Sequence, residues 1–266
     1  MALFVCATPI GNLEDVTLRV LAELRAADVV LCEDTRHTRG LLERHGVEAR
    51  LVSYHEHNEA ARTEEFLPRL VAGERIALVS DAGMPGVSDP GARIVRAALA
   101  ADVRVTVLPG PSAVETALVA SGFAGGAFQF LGFLPRGSAA LARVWPALSL
   151  VSVAFESPQR LPATLASLAS FDPSREVAVC RELTKKFEEV VRGTASELAA
   201  RFTDAPKGEI TLVVGAPAAA SAARDDSEAV AAVAELVAAG MSRRRAAELV
   251  SSLTGVSRNA LYRGSL

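Results

Sequence analysis

Short apolar runs, each closed by a Gly- or Pro-rich loop and followed by helical periodicity, set the rhythm of the first half of the chain. Val5-Cys6-Ala7 runs into Thr8-Pro9-Ile10-Gly11-Asn12, and Ile76-Ala77-Leu78-Val79 runs into the loop from Ser80 to Gly91. Val105-Thr106-Val107-Leu108 runs into Pro109-Gly110-Pro111-Ser112 in the same way. Such runs, bounded by turn formers, read as buried strands. Further strands are predicted at Val29 to Cys32, which ends in the polar run Glu33-Asp34-Thr35-Arg36-His37-Thr38, and at Leu51-Val52. Val16, Leu18, Val20, Leu21 and Leu24 outline one amphipathic helix, Leu41 and Leu42 lie on a second that stops near Gly46, and Glu59 to Ala72 forms a third. This alternation predicts a mainly parallel α/β sheet.

From Phe128 to Gly137 (FQFLGFLPRG) the rhythm breaks, and the segment reads as a domain junction or flap. Strands are predicted again at Leu150 to Phe155, Val177 to Cys180 and Ile210 to Val214, with one more, antiparallel, at Glu188 to Gly193. The segment from Ala216 to Arg224 has linker composition. Beyond it, Val230, Val233, Leu236 and Val237 mark a helix face. A second helix, capped by Ser242 and closed by Gly255, carries Ala246, Leu249, Val250 and Leu253, and Ser257 can cap a third. These helices are too few to make a robust core alone and predict a helix-turn-helix-like appendage. The expected division is an α/β domain at 1–113, a second at 114–216 and a helical extension at 227–266.

Half of the residues are hydrophobic, enough for a sizeable core, but only 5% are aromatic, so alanine and valine must fill much of it. A net charge of −3 excludes a globally basic nucleic-acid coat and leaves room for local basic surface. Arg36, Arg39 and Arg44 recur near one helix start, and Arg243-Arg244-Arg245 form a triplet in the tail. Arginine pairs well with phosphate oxygens, so both groups are candidates for RNA contact, with a solvated face as the competing reading. Cys6, Cys32 and Cys180 are odd in number, widely spaced and set in apolar runs, the usage of a reducing compartment. The first residues lack a charged leader, and no apolar run approaches the roughly 20 residues of a membrane helix. A soluble cytoplasmic protein is expected.

The richest chemistry lies in SDAGMPGVSDPG, Ser80 to Gly91. A polar, Gly-rich loop at the carboxyl end of a parallel strand is where open α/β sheets bind ligands. Asp81 there can hold a hydroxyl or a cation. No P-loop sequence occurs, and no G-x-G-x-x-G follows the first strand, so other loops must hold a ligand. His55 and His57 have H-x-H spacing, but no third ligand stands at a diagnostic distance, and no metal is expected.

Four loops in order, ATPIGNLEDVTLRVL, CEDTRHT, SDAGMPGVSDPG and PGPSAVETAL, resemble the ribosomal RNA small-subunit methyltransferase I family of the tetrapyrrole-methylase-like superfamily. The resemblance continues through GFLPRG, FESPQR, RELTKKFEEVVRGT and KGEITLVV into the tail GMSRRRAAELVSSLTGVSRNALYRGSL, covering almost the whole chain. It implies a two-domain α/β fold with S-adenosylmethionine in the cleft between the domains, plus the C-terminal helical extension. It also implies 2′-O-methylation of a decoding-region cytidine in small-subunit (16S) ribosomal RNA. Porphyrinoid-modifying relatives usually carry GPGDP-like and DGDP-like loops where this chain reads TPIGN and DAGMPG, which favours the RNA branch. Gln159 in FESPQR departs from the expected His and leaves that side chain without an assigned role.

By the same resemblance Asp81, Gly83 and Met84 lie along the cofactor, with Ser112 and Ala113 on the adjacent loop. Pro9 and Ile10 border it from the first loop, and Phe155, Glu156 and Arg181 approach from the second domain. Core packing is the competing reading for Met84 and Phe155, and helix capping for Ser112. A ribose hydroxyl is a poor nucleophile and needs a base or polarising group. Glu33, Asp34, Glu156 and Lys185 are expected to gather around it, Glu182 is weighed with them, and ion pairing competes for each. Two other functions stay open: a porphyrinoid methyltransferase, and a non-catalytic ribosome-binding protein. The acidic balance favours the assembled small subunit over free RNA as substrate. A homodimer is expected on resemblance alone.

Overall fold

Alternation along the strands decides the layering of the first sheet. In this computed structural model, which describes residues 2–217, 226–254 and 256–265, five strands pair in parallel: β1 (Ala2–Cys6), β2 (Val29–Cys32), β3 (Leu51–Ser53), β4 (Arg75–Leu78) and β5 (Arg104–Leu108). Their order is β3-β2-β4-β1-β5. Successive side chains of a strand point to opposite faces. Leu3, Val5, Leu31 and Ile76 therefore pack with Phe66 and Leu70 of α3 (Glu59–Val71) and Ile94 of α4 (Ala92–Ala100). Cys6, Val30, Cys32 and Ala77 turn the other way, onto Val20 and Leu24 of α1 (Leu18–Ala26) and Leu42 of α2 (Thr35–Arg44). Burial on both faces is why these strands read as continuous apolar runs. One expectation needs correcting: Leu18 is 84% exposed. Thr17 caps α1, its hydroxyl accepting the Val20 N–H at 3.2 Å, so the apolar stripe begins only at Val20.

The second sheet contains β6 (Phe128–Phe133), β7 (Val151–Glu156), β8 (Glu176–Arg181), β9 (Glu189–Thr194) and β10 (Ile210–Val214), in the order β6-β7-β10-β8-β9. Its pairs are antiparallel except β6 with β7. FQFLGF is thus an edge strand, not a flap. Its periodicity is obscured because the register shifts between Phe130 and Phe133, where Gly132 has φ +66°. One face carries α6 (Ser138–Val144), α7 (Leu161–Phe171) and α8 (Ala195–Arg201), packed through Leu141, Leu165 and Leu198 and joined by Trp145 just after α6. The other carries α5 (Ala113–Ser121), whose Val114, Ala117 and Leu118 meet Val153, Ala178 and Val213. Ile10, from the loop after β1, joins that second-sheet cluster.

Helix α8 starts on a capping box: Thr194 Oγ1 accepts the Glu197 N–H at 3.2 Å, and the Glu197 carboxylate accepts the Thr194 N–H at 2.7 Å. Thr194→Ala removes the first bond and is expected to cost about 1 kcal/mol in urea unfolding.

The chain divides into two compact units, Met1–Ala216 and Pro217–Leu266. The second consists of α9 (Asp226–Ala238), α10 (Arg243–Thr254) and α11 (Arg258–Gly264), with Val233, Ala246, Ala247, Val250 and Leu261 as a small core of its own. The Arg243 guanidinium donates to the Ser265 carbonyl. Arg244, Arg245 and Arg258 surround Glu248 at 3.5, 3.8 and 3.5 Å. Gly255 and most of the Ala216 to Arg224 linker lie outside the described residues. Among the described residues no helix is long and apolar enough to cross a membrane.

Candidate functional site

Loops at the ends of β1, β4 and β5 converge on one cavity of about 1070 Å³. The first two are tied backbone to backbone: the Thr8 N–H donates to the Gly83 carbonyl at 2.8 Å, and the Gly83 N–H donates back to Thr8 at 3.0 Å. The Thr8 hydroxyl donates to the Ser80 carbonyl at 2.9 Å, so the bridge is buried and doubly held. Gly83 sits at φ +77°, a left-handed conformation that a side chain would strain. The first turn of α5, from Ser112 to Thr116, forms another wall.

The second sheet supplies an aromatic wall. Phe155 is met edge-on by Phe130 at 5.0 Å and by Phe133 at 5.4 Å, an arrangement that suits the ring quadrupoles. Phe133 is 60% exposed, so this wall ends at solvent. The segment that follows β8 reaches across to the first loop. The Asn12 N–H donates to Thr184 Oγ1 at 3.0 Å, and Thr184 and Glu182 hold positive φ values of 67° and 53°. Non-glycine residues in that region store strain, which persists only where the surroundings impose it.

Of the residues expected along a cofactor, Ile10, Gly83, Met84, Ser112, Ala113 and Phe155 line the cavity. Pro9, Asp81 and Arg181 are not among the lining residues. Asp81 Oδ1 accepts the Asp34 N–H at 3.0 Å, and Arg181 donates to Glu189 at 3.1 Å and to the Lys207 carbonyl at 3.1 Å. Ser112 is the N-cap residue of α5, but its hydroxyl donates to the Glu115 carboxylate rather than capping a backbone N–H.

Of the four expected proton-handling groups, Glu156 lines the cavity, while Glu33, Asp34 and Lys185 are not among its lining residues. Asp34 caps α2, its Oδ1 accepting the Arg36 N–H at 2.8 Å, and forms a two-pronged pair with the Arg36 guanidinium at 3.1 and 2.7 Å. Those bonds hold it well below the usual carboxylate range, which is unfavourable for accepting a proton. Glu156 is fully buried: its carboxylate accepts from the Thr164 hydroxyl at 2.6 Å and the Ser157 N–H at 2.7 Å, and it pairs with Arg160. Lys185 lies 3.0 Å from Glu182 and 3.1 Å from Glu209. Burial pulls its ammonium down, but the two carboxylates outweigh that and leave it raised, so it stays a cation. Glu33 is half-buried and pushed up by burial and by Asp81.

Sequence reasoning missed Asp89, Glu115 and Glu209 on the cavity wall. Asp89 lies in the same Gly/Pro-rich loop as Asp81, and that loop was the available signal. Burial first, then the charges of Glu33 and Asp81, push Asp89 up to about 7. Cys180 also reaches the wall, but burial raises its thiol to about 11 and leaves it inert. Among the expected arginines, Arg36 and Arg39 are exposed on α2, and the side chains of Arg244 and Arg245 are largely exposed on α10. The rings of His55 and His57 lie 6.0 Å apart, and no group of three metal-ligating side chains occurs among the described residues.

The profile of the Tetrapyrrole (Corrin/Porphyrin) Methylases matches residues 2–199. The ribosomal RNA small subunit methyltransferase I of Mesorhizobium japonicum is 44% identical over 98% of this chain and 90% of its own length. That of Micromonospora olivasterospora is 44% identical over 98% and 85%. Among solved structures, the uroporphyrin-III-C-methyltransferase of Thermus thermophilus superposes with a TM-score of 0.58 at 23% identity, covering 80% of this chain and 94% of that one. The methyltransferase CobJ gives 0.61 at 19% identity, covering 82% and 94%.

Proposed function

Because the chain belongs to the ribosomal RNA small subunit methyltransferase I family, within the tetrapyrrole methylases, we propose that it transfers a methyl group from S-adenosylmethionine to the 2′-hydroxyl of a cytidine in the decoding region of 16S ribosomal RNA. The observation that supports this reading best is the cavity itself. Its volume stands at the upper end of small-molecule sites, room for a nucleoside-sized cofactor and part of an acceptor. Among the described residues its walls combine apolar surface with carboxylates and hold no lysine or arginine, a donor set that suits a cationic sulfonium. When bound, S-adenosylmethionine supplies an electrophilic methyl group on positively charged sulfur.

Ile10, Gly83, Met84, Ser112, Ala113 and Phe155 would hold that cofactor, with Asp81 and Pro9 fixing the loops behind them. If each sheet is taken as a domain, 1–113 and 114–216, the cofactor lies where they meet. Phe130 and Phe155 exclude water from one side. Positioning accounts for much of the acceleration in such a transfer. Lys185, kept protonated by Glu182 and Glu209, orients an acceptor phosphate rather than taking a proton. Glu156 holds Arg160 and the start of α7 in place. Arg36, Arg39, Arg244 and Arg245 are the phosphate contacts from the surface, and Arg243, tied to Ser265, contributes least. The working form is a cytoplasmic homodimer acting on the assembled small subunit.

The deciding experiment is transfer of labelled methyl groups to small subunits isolated without their native methylations, with mass spectrometry of the nuclease digest. A single 2′-O-methylcytidine in the decoding region is expected. Modification of a base instead of a ribose, or incorporation only into a tetrapyrrole, would overturn the reading.

A further inference from the structure

We propose that Asp89 is the general base that accepts the proton of the acceptor hydroxyl. The proposal rests on the methyl-transfer reading and supplies the group that it leaves open. Four carboxylates reach the cavity wall: Asp89, Glu115, Glu156 and Glu209. Three are committed to protein partners. Glu115 accepts from Ser112, Glu156 from Thr164 and Ser157 while pairing with Arg160, and Glu209 pairs with Lys185. Among the described residues Asp89 has no hydrogen-bond donor and no ion-pair partner, and no hydrogen bond contributes to its ionisation. It is the wall carboxylate whose oxygens remain available to a substrate.

Its position is built by the chain. Asp89 shares a loop with Gly83 and Met84, and the loop is pinned at one end by the Thr8 bridge. Within it the Val87 N–H donates to Met84 at 3.2 Å and the Gly86 N–H to Pro90 at 3.1 Å. Ser88 takes φ +63°, a strained value for a residue with a Cβ, and so sets the direction in which Asp89 leaves the loop.

Its electrostatics suit the task. Among the described residues the charged groups facing it are Glu33, from the end of β2, and Asp81, from the end of β4, with no cation opposing them. Glu33 in turn feels Asp81 and, oppositely, His55. Partial burial and these two like charges bring Asp89 to about 7, where a base is both ionised near neutral pH and strong enough to take a proton. In the step, the hydroxyl proton passes to an Asp89 oxygen while the hydroxyl oxygen bonds to the methyl carbon. The carbon–sulfur bond breaks with its electron pair remaining on sulfur, which loses its positive charge. Asp89 then releases the proton to water.

The test uses the full chain with Asp89→Asn and Asp89→Glu, unmethylated small subunits, and cofactor affinity measured separately by calorimetry. The wild-type single-turnover rate should rise with pH to a plateau above about pH 7. Asp89→Asn should lower that rate on the order of 10²–10⁴-fold with a far smaller change in cofactor Kd, and Asp89→Glu should restore part of it. A second readout needs no turnover. A carboxylate raised in the folded state favours folding below its unfolded value and loses that advantage as pH rises towards the folded one. The Tm of Asp89→Asn should therefore gain on wild type between about pH 4 and pH 7 and stay level above it. An Asn variant with the wild-type rate and pH profile overturns the role of Asp89 and leaves methyl transfer standing. So does a rate loss matched by lost cofactor binding. Absence of transfer by the wild type overturns the function, and the base role with it.

Discussion

Glu156→Ala is expected to lower the unfolding free energy by about 3–5 kcal/mol, the usual cost of removing one partner of a buried ion pair. The carboxylate is fully buried, and its removal strands the Thr164 hydroxyl, the Ser157 N–H and the Arg160 guanidinium together. Arg160 is 27% exposed and regains some hydration, which places the effect towards the lower end of that range. Glu156→Gln keeps the shape and an acceptor oxygen for Ser157 and Arg160, and its new amide can donate to the Thr164 hydroxyl, so the loss should be under half as large. Trp145, the only tryptophan of the chain, is 1% exposed in the core that α7 shares. Its fluorescence in urea reads both variants directly. A proton-accepting Glu156 would give the opposite pattern, with Glu156→Gln losing methyl transfer far beyond its loss of stability.

Gly11→Ala should open the cavity from its other side. An added Cβ would lie 2.5 Å from Lys185 Cγ, 2.8 Å from Thr184 Oγ1 and 2.9 Å from the Leu183 carbonyl oxygen. The lysine stem can swing away, but the carbonyl belongs to a backbone already held at positive φ on both sides and has little room to yield. Overpacking of this kind costs about 1–3 kcal/mol. Relief comes by pushing the segment after β8 off the first loop, which displaces Leu183 and Ile10 from the cavity wall. Cofactor affinity should fall at least about tenfold, equivalent to 1.4 kcal/mol. Gly40→Ala is the contrasting control. It sits exposed in α2 with nothing within 4 Å of a new Cβ, and should add up to about 1 kcal/mol of stability without touching the site. Equal cofactor affinity in Gly11→Ala and wild type would show that the contact does not shape the cavity.

Local chemistry made much of this molecule legible in its sequence. The Gly/Pro loops after β1, β4 and β5 announced themselves because tight turns at a strand end demand those residues, and the site is built from them. β6 escaped because Gly132 breaks its register, so neither face shows a clean alternation. Leu18 was misplaced because period alone does not show where a cap such as Thr17 starts the helix. Asp89 and Lys185 illustrate a deeper limit. What each does is set in part by a carboxylate distant along the chain, Glu33 for Asp89 and Glu209 for Lys185, and spacing carries no trace of such encounters. The strain at Glu182 and Thr184 was equally silent, since no glycine marks it.

The interior place of β1, between β4 and β5, bears on how the protein is made. Residues 2–6 leave the ribosome well before their neighbours, residues 75–78 and 104–108. At about 5–20 residues per second, the strand waits several seconds for both partners to emerge. During that wait Leu3, Phe4, Val5 and Cys6 form a naked apolar stretch with two unsatisfied edges, and sheet closure must pay a large loop-closing entropy before any pairing rewards it. Synthesis, rather than the finished fold, is where this chain is most exposed to aggregation, and slow translation or a shortage of chaperones should be felt through β1.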